Sequence, residues 1–137
     1  MSKLEHESAI RTLLAEYCHH YDDRRPEAFA ALFTEDATFT VMGERRIGRD
    51  EIREHIGTQR PENPPGQHVT YNSVIEVGAE GTTARAWTDF SYLRTTDHGY
   101  QFNTAGRYHD RLVRDPDRWR IQTRTIVFLG DPVPEDI

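Results

Sequence analysis

The hydrophobic period of this chain changes at a Pro-rich segment between residues 60 and 66. Before that segment, apolar residues recur every three or four positions, which predicts α-helices. After it, apolar and polar residues alternate in long runs separated by turn signals such as Asp97-His98-Gly99, which predicts β-strands. Helices first and a meander of long strands afterwards predict an α+β fold, with helices packed on one face of a mostly antiparallel sheet.

The apolar spacing predicts three helices before the Pro-rich segment. The first runs from about Glu5 to Tyr21, and the third covers about Arg49 to Ile56. The second begins at Pro26, because proline lacks an N–H that the first helical position does not need. Thr34-Glu35-Asp36 is expected to end the second helix, whose buried side is expected to include Leu32 and Phe33.

The alternating runs predict a strongly curved sheet of long strands. The predicted strands are Ala37–Met42, Gln67–Val77, Thr82–Thr95, Gly99–Arg114 and Arg118–Leu129, with Gly43 to Gly48 as a turn and 131–135 as an extended arm. Helices on the concave side of such a sheet close a conical, mostly apolar pocket of the kind that binds small molecules. Trp87 and Trp119 are expected on the opposite face, under a second or third copy of the chain.

Composition restricts the class of protein. The length of 137 residues fits a single domain over 1–137, with a core at about 5–129 and a tail at 130–137. The chain has 17 Lys and Arg against 23 Asp and Glu, which argues against nucleic-acid binding. A single cysteine, no apolar segment typical of a signal peptide and no bilayer-length apolar run predict a cytoplasmic protein that does not enter membranes.

Asp22 and His68 are the strongest candidates for chemistry. An imidazole titrates near neutrality, and a hydrogen-bonded carboxylate fixes its tautomer and stabilises the imidazolium. If the two meet inside an apolar cavity, His68 becomes a general base. The alternatives are a surface histidine after a Pro-rich loop and a solvated turn carboxylate beside Arg24 and Arg25. Strand alternation predicts that Asn72 shares the face of His68.

The remaining candidates depend on strand alternation. Alternation places Arg124 on a face opposite Trp119, where an inward arginine can stabilise a developing oxyanion or a leaving group. A salt bridge on the sheet is the alternative. Candidates for lining a pocket for a flat or polycyclic substrate are Tyr17, Tyr21, Phe39, Phe90, Tyr92, Phe102, Tyr108 and Phe128.

No metal or cofactor is predicted. The histidines lack the spacing of common metal-binding motifs. The chain also has no Gly-rich phosphate loop and no nucleophile elbow. The expected partner is therefore a small apolar or aromatic substrate.

Residues spread over nearly the whole chain form a recognisable set. They are Ala9-Ile10, Tyr17, Tyr21-Asp22, Phe33 to Ala37, Gly48 to Ile52, His68, Asn72, Gly106 to Tyr108, Asp110 and Trp119 to Ile121. Over about residues 5–129 this set resembles the SnoaL-like branch of the nuclear-transport-factor-2-like superfamily. The resemblance implies a conical α+β fold and a homodimer or homotrimer. It does not imply one function, because the superfamily includes isomerases, dehydratases, cyclases, dioxygenase small subunits and binders.

Within that superfamily, the site residues are most similar to those of scytalone dehydratase and lindane dehydrochlorinase. Asp22 and His68 match the aspartate and histidine with which those enzymes remove a proton from carbon. Tyr21 matches a substrate-contacting tyrosine of the dehydratase, and Arg124 matches an arginine of the dehydrochlorinase. Tyr17, however, stands where the dehydrochlorinase has a lysine.

The resemblance implies a cofactor-independent lyase or isomerase of dehydratase or dehydrohalogenase type. Two alternatives stay open. One is a non-catalytic ligand-binding or accessory module. The other is a polyketide-type cyclase, in which Asp22 rather than His68 would lead.

Overall fold

The computed structural model describes residues 1–57 and 66–137, which form three helices on the concave side of a curved, unclosed sheet. The elements in chain order are α1 (Lys3–Asp22), α2 (Pro26–Ala30), β1 (Phe33–Val41), β2 (Glu44–Ile47), α3 (Gly48–Gly57), β3 (Gly66–Val77), β4 (Thr83–Thr96), β5 (Gly99–Arg114) and β6 (Trp119–Phe128). The predicted α+β class is confirmed. The predicted irregular segment from Arg60 to Gly66 lies, up to residue 65, outside the described residues.

The strand order is β2-β1-β6-β5-β4-β3. Within the described strands β1 runs parallel to β6, and the other neighbouring pairs are antiparallel. Helix α1 packs on β3, and α3 packs on β1, so the helices lie between the two edges of the curved sheet. Among the described residues, none of the helices is both long and apolar enough to cross a lipid bilayer.

Helix α1 buries its predicted apolar stripe and is fixed at its first turn. Ser2 caps the helix by accepting a hydrogen bond from the Glu5 N–H at 3.2 Å. His6 is 7% exposed and accepts a hydrogen bond from the Trp119 indole at 3.2 Å. Gly81, with φ of +71°, lies against the other side of the His6 ring. These contacts hold the N-terminal end of α1 on the sheet.

The region between α2 and α3 differs from the prediction. Helix α2 ends at Ala30, and Phe33 opens β1, which continues through Thr34-Glu35-Asp36. Pairing with β6 accounts for this, because the Ile121 N–H donates to the Leu32 carbonyl at 2.8 Å. The expected turn at Gly43 to Gly48 is instead a hairpin with β2. Met42 and Gly43 have φ of +55° and +76°, which suits a tight two-residue turn.

Two irregularities change which side chains face inward. In the pairing of β5 with β6, Arg111 lies opposite Thr123 and Leu112 opposite Ile121, so Gln122 is an extra residue. Trp119 is therefore buried beneath α1, and its predicted place on the outer face is wrong.

The second irregularity lies in the pairing of β3 with β4, between Thr70 and Ser73. Val74 lies beyond it and is 59% exposed, opposite Trp87. Asn72 lies within the irregularity and hydrogen-bonds to Asp89, which lines an outer cavity, so it does not share the inner face with His68, contrary to the prediction.

Candidate active site

Asp22 and His68 meet where the end of α1 crosses the start of β3. The Asp22 Oδ1 atom accepts a hydrogen bond from His68 Nδ1 at 2.6 Å, and Oδ2 accepts one from the His68 backbone N–H at 2.8 Å. Their side chains are 13% and 11% exposed. Because a carboxylate accepts hydrogen bonds, the neutral form of this imidazole has its proton on Nδ1 and its lone pair on Nε2. This arrangement suits proton abstraction.

Three tyrosine rings surround the His68 imidazole. The centre of the imidazole lies 4.5 Å from the centre of the Tyr21 ring, 4.7 Å from Tyr92 and 6.3 Å from Tyr17. Burial raises the pKa of Tyr21 to about 12 and the pKa of Tyr17 well above its usual value. These phenols therefore keep their protons at neutral pH and are potential hydrogen-bond donors.

A second histidine, His55, contributes to the same region from α3. Its Nε2 lies 3.4 Å from the Tyr21 hydroxyl, and its ring packs on Phe39. Burial first, then the positive charge of Arg46, lowers the pKa of His55 to about 4. His55 is therefore neutral at physiological pH. Sequence reasoning passed over it, although its place three residues after the inward Ile52 puts it on the same face of the helix.

Arg124 lies deeper in the core, in an ion pair with Asp110. The Arg124 Nε and Nη2 atoms donate to the two carboxylate oxygens at 2.8 Å each, and both side chains are fully buried. The guanidinium carbon lies 4.1 Å from the centre of the Tyr17 ring and 3.9 Å from that of Tyr108. The salt-bridge alternative for Arg124 is thus the observed geometry.

Asp110 is among the residues that carry the family resemblance, but no role and no partner were assigned to it from the sequence. It lies directly opposite Arg124 in the register of β5 and β6, and that register depends on the extra residue Gln122. Among the residues that the structure describes, Arg124 Nη1 and the Tyr108 hydroxyl are buried without a hydrogen-bond partner. Both polar groups lie among the aromatic side chains of the core.

The other predicted lining residues divide between the core and the outer face. Phe39 is fully buried, and Phe90 stacks on Tyr108 with ring centres 4.3 Å apart. Phe128 packs near Phe90. Phe102, in contrast, is 67% exposed and lines an outer cavity with Val127.

The prediction that Phe102 lines the inner pocket is therefore wrong. The pairing of β4 with β5 shifts by one residue between Tyr92 and Leu93. As a result, Phe102 lies opposite Leu93 rather than on the face of Tyr92. Among residues 1–57 and 66–137, no group of three or more His, Cys, Asp or Glu side chains is placed to hold a metal ion.

Comparison with known proteins agrees with this architecture. A curated relative, the small subunit of anthranilate 1,2-dioxygenase from Burkholderia cepacia, is 24% identical and matches 87% of this chain and 84% of its own length. A protein of unknown function from Mycobacterium tuberculosis has a structure with a TM-score of 0.86 and 28% identity, covering 98% of this chain and 81% of its own.

A third similar structure belongs to a protein of Novosphingobium aromaticivorans that is provisionally named a scytalone dehydratase. It has a TM-score of 0.77 and 24% identity, and the match covers 96% of this chain and 91% of that protein. The SnoaL-like domain family model matches residues 2–125, which is most of the chain. The protein therefore belongs to the SnoaL-like family of the nuclear-transport-factor-2-like superfamily.

Proposed function

We propose that the protein is a cofactor-independent lyase or isomerase that abstracts a carbon-bound proton from an apolar, cyclic substrate. The observation that carries the proposal is the 2.6 Å hydrogen bond between Asp22 and His68 Nδ1, in a setting that is mostly buried and walled by tyrosines. General bases of this kind combine a fixed tautomer with a poorly solvated site.

The proposed reaction begins at a C–H bond next to an electron-withdrawing group of the substrate. His68 Nε2 takes the proton, and the electron pair of that bond stays on the substrate carbon. In an elimination, the pair forms a C=C bond while a hydroxide or halide leaves from the neighbouring carbon. In a dehydration, the leaving hydroxide takes up the proton that His68 removed and departs as water, which returns His68 to its neutral form. In an isomerisation, a different carbon is protonated instead.

Asp22 and the tyrosines have separate roles in this scheme. Asp22 holds the imidazole and stabilises the positive charge that forms on His68. The hydroxyl of Tyr21 or Tyr92 donates a hydrogen bond to the substrate carbonyl or leaving group, which is where negative charge develops. Arg124 is a positioning residue in this scheme. It is fully buried and donates two hydrogen bonds to Asp110, so it does not touch the substrate itself and instead holds the Tyr17 ring on which its guanidinium packs.

The test is deuterium incorporation and elimination in D₂O, followed by ¹H NMR, with a panel of cyclic β-hydroxy and β-chloro ketones and their carboxylated analogues. We expect the wild type to exchange the α-hydrogen or release water or chloride. His68→Gln should slow this by about 10²- to 10⁴-fold, the usual contribution of general-base catalysis. Ligand affinity should change little, because the base acts on the transition state.

The matched control is His98→Gln, which removes an exposed histidine from the turn between β4 and β5. Its rates should equal those of the wild type. A His68→Gln variant as active as this control would contradict the proposal, as would a wild type no faster than free imidazole. If Asp22→Asn abolished product formation while His68→Gln did not, the cyclase alternative would be favoured.

A second candidate function is that of an accessory module that binds another chain through the outer face of the sheet. Exposed apolar side chains on or beside that face are Tyr71, Val74, Phe102, Leu129 and Val133. The curated relative is the small subunit of a dioxygenase. The same face would serve a homodimer or homotrimer. If the protein is such a module, light scattering should show that it forms an oligomer or a complex with another chain. The wild type should then have no catalytic activity, and His68→Gln should bind the ligand as the wild type does.

A further inference from the structure

Two arginines from different parts of the sheet face the region of the dyad. Arg94 lies opposite Gly66 in the pairing of β3 with β4, two residues from Tyr92, and therefore on the inner face with His68. Arg46 lies in β2 opposite the buried Phe39. Because the sheet is strongly curved, these two strands stand on opposite sides of the space between the helices and the sheet.

Both guanidinium groups have unused hydrogen-bonding capacity. The Nε atoms of Arg46 and Arg94 are buried and have no hydrogen-bond partner among the residues that the structure describes. A buried donor without a partner is costly, so native structures normally provide one. Arg46 Nη2 pairs with Glu44 at 3.4 Å, and the Glu44 side chain is 74% exposed. Arg94 lies over the Tyr92 ring, with its guanidinium carbon 5.8 Å from the ring centre.

Two other arginines have acidic partners within the protein. Arg118 pairs with Glu16 at 2.9 Å, and Arg124 is held by Asp110 through two hydrogen bonds. Arg124 also keeps one buried donor without a partner, Nη1, but its charge is neutralised by a buried carboxylate, whereas the acid that pairs with Arg46 is exposed. Arg46 and Arg94 are therefore cations that each keep a buried donor without a partner among the described residues.

The positive charges of Arg46 and Arg94 both act on Tyr21. Each lies close enough to Tyr21 to lower the pKa of its phenol, against the larger effect of burial. Arg46 also acts on the neighbouring His55. The geometry agrees with this. Arg94 lies over the Tyr92 ring, which is 4.7 Å from His68. Arg46 lies opposite Phe39, whose ring packs on His55 beside the Tyr21 hydroxyl.

We infer that Arg46 and Arg94 bind a carboxylate of the substrate and so select an acid with an apolar ring. This inference rests on the proposed function, because it assigns the substrate class of the same site. Guanidinium groups suit carboxylates, since their planar N–H donors match the two carboxylate oxygens. The carboxylate would take up the orphaned donors while the ring of the substrate packs on the tyrosines beside His68.

The test uses two ligands of equal size, 2-naphthoate and 2-naphthamide, with affinities measured by isothermal titration calorimetry at low salt. The wild type should bind the carboxylate about tenfold or more tightly than the amide, the amount expected of a hydrogen bond to a charged group. Arg46→Met/Arg94→Met should abolish that preference while leaving amide binding unchanged. Methionine preserves the apolar stems of both side chains.

The matched control is Arg45→Met/Arg85→Met, which removes two charges from the same strands, β2 and β4, on the outer face. This control should retain the preference for the carboxylate. A wild type that binds both ligands equally, or that fails to bind naphthoate at millimolar concentration, would overturn the inference. So would a preference that persists in Arg46→Met/Arg94→Met or is lost equally in the control.

Failure of this inference can be separated from failure of the proposed function. His68→Gln should keep the preference for naphthoate, because the base is not the anion-binding group. If the preference is present but no substrate is turned over, the anion site stands and the lyase proposal fails. If turnover depends on His68 but uncharged ketones react as well as their carboxylated analogues, the lyase proposal stands and the carboxylate inference fails.

Discussion

Replacing Asp110 by asparagine should reveal how strongly the core depends on the Arg124 ion pair. The substitution keeps the size of the side chain, so it removes a charge without opening a cavity. The side chains of Arg124 and Asp110 are both 0% exposed, so Arg124 would become a fully buried cation that has lost its counter-ion. Breaking a buried pair by removing one partner costs about 3–5 kcal/mol. A domain of this size has roughly 5–15 kcal/mol of stability in total, so the loss should be large.

Urea unfolding, monitored by circular dichroism, measures this loss directly. Asp110→Asn/Arg124→Met removes both charges and should recover much of the lost stability, because methionine fills the space of the arginine stem without a charge to solvate. Asp89→Asn is the matched control. Its partner Arg107 is exposed, so solvent and salt screen that pair and little change is expected.

A loss of less than about 1 kcal/mol in the free energy of unfolding of Asp110→Asn would refute a strong dependence on the ion pair, since a desolvated guanidinium that loses its counter-ion should destabilise the fold by more than this. That dependence would also be refuted if the double variant were much less stable than Asp110→Asn alone. Either result would mean that water or another group compensates the charge of Arg124 in the core.

Two further predictions concern the stability of the helices on the sheet. Gly81→Ala should lower the free energy of unfolding in urea by about 1–2 kcal/mol, which is more than the loss for Gly43→Ala. Both residues have positive φ, but only at Gly81 would the new Cβ lie 2.6 Å from His6 Nε2. Equal losses in the two variants would contradict a role for the His6 contact. His55 has a folded-state pKa of about 4 against 6.5 for the free side chain, so the unfolded chain binds more protons between these values and stability should fall as pH drops from about 6.5 to 4. The loss should approach about 3 kcal/mol and disappear in His55→Leu, whereas a pH dependence unchanged in that variant would refute it.

Periodicity was sufficient to predict the order and type of most elements. The helical stripe of α1 and the long alternating strands after residue 66 are patterns that burial imposes on every residue of an element. The region from Leu32 to Ile47 was less predictable. Phe33 continues a helical apolar pattern, yet its backbone is held by pairing with β6, and that partner lies far along the chain.

The remaining errors come from register. Alternation assumes an unbroken pleat, and one extra residue reverses every later side chain. The extra residue Gln122 brought Trp119 inward, and the shift after Tyr92 moved Phe102 outward. The same register places Asp110 beside Arg124, so a partner of that kind could not be identified from spacing alone.

Asp22 and His68 were easier to single out, because a carboxylate at a helix end and a histidine opening a strand matched a known arrangement. Their roles in catalysis stay a prediction. His55 and the arginines at positions 46 and 94 carried no such match, and their importance follows from burial, which only the folded structure displays.

The most direct test of the account is ¹⁵N NMR of the His68 imidazole in labelled protein, at a pH at which the ring is neutral. The hydrogen bond to Asp22 predicts a single tautomer, with an exchange-protected proton on Nδ1 and an unprotonated Nε2. A proton on Nε2, or the averaged mixture of tautomers typical of a histidine in water, would contradict it.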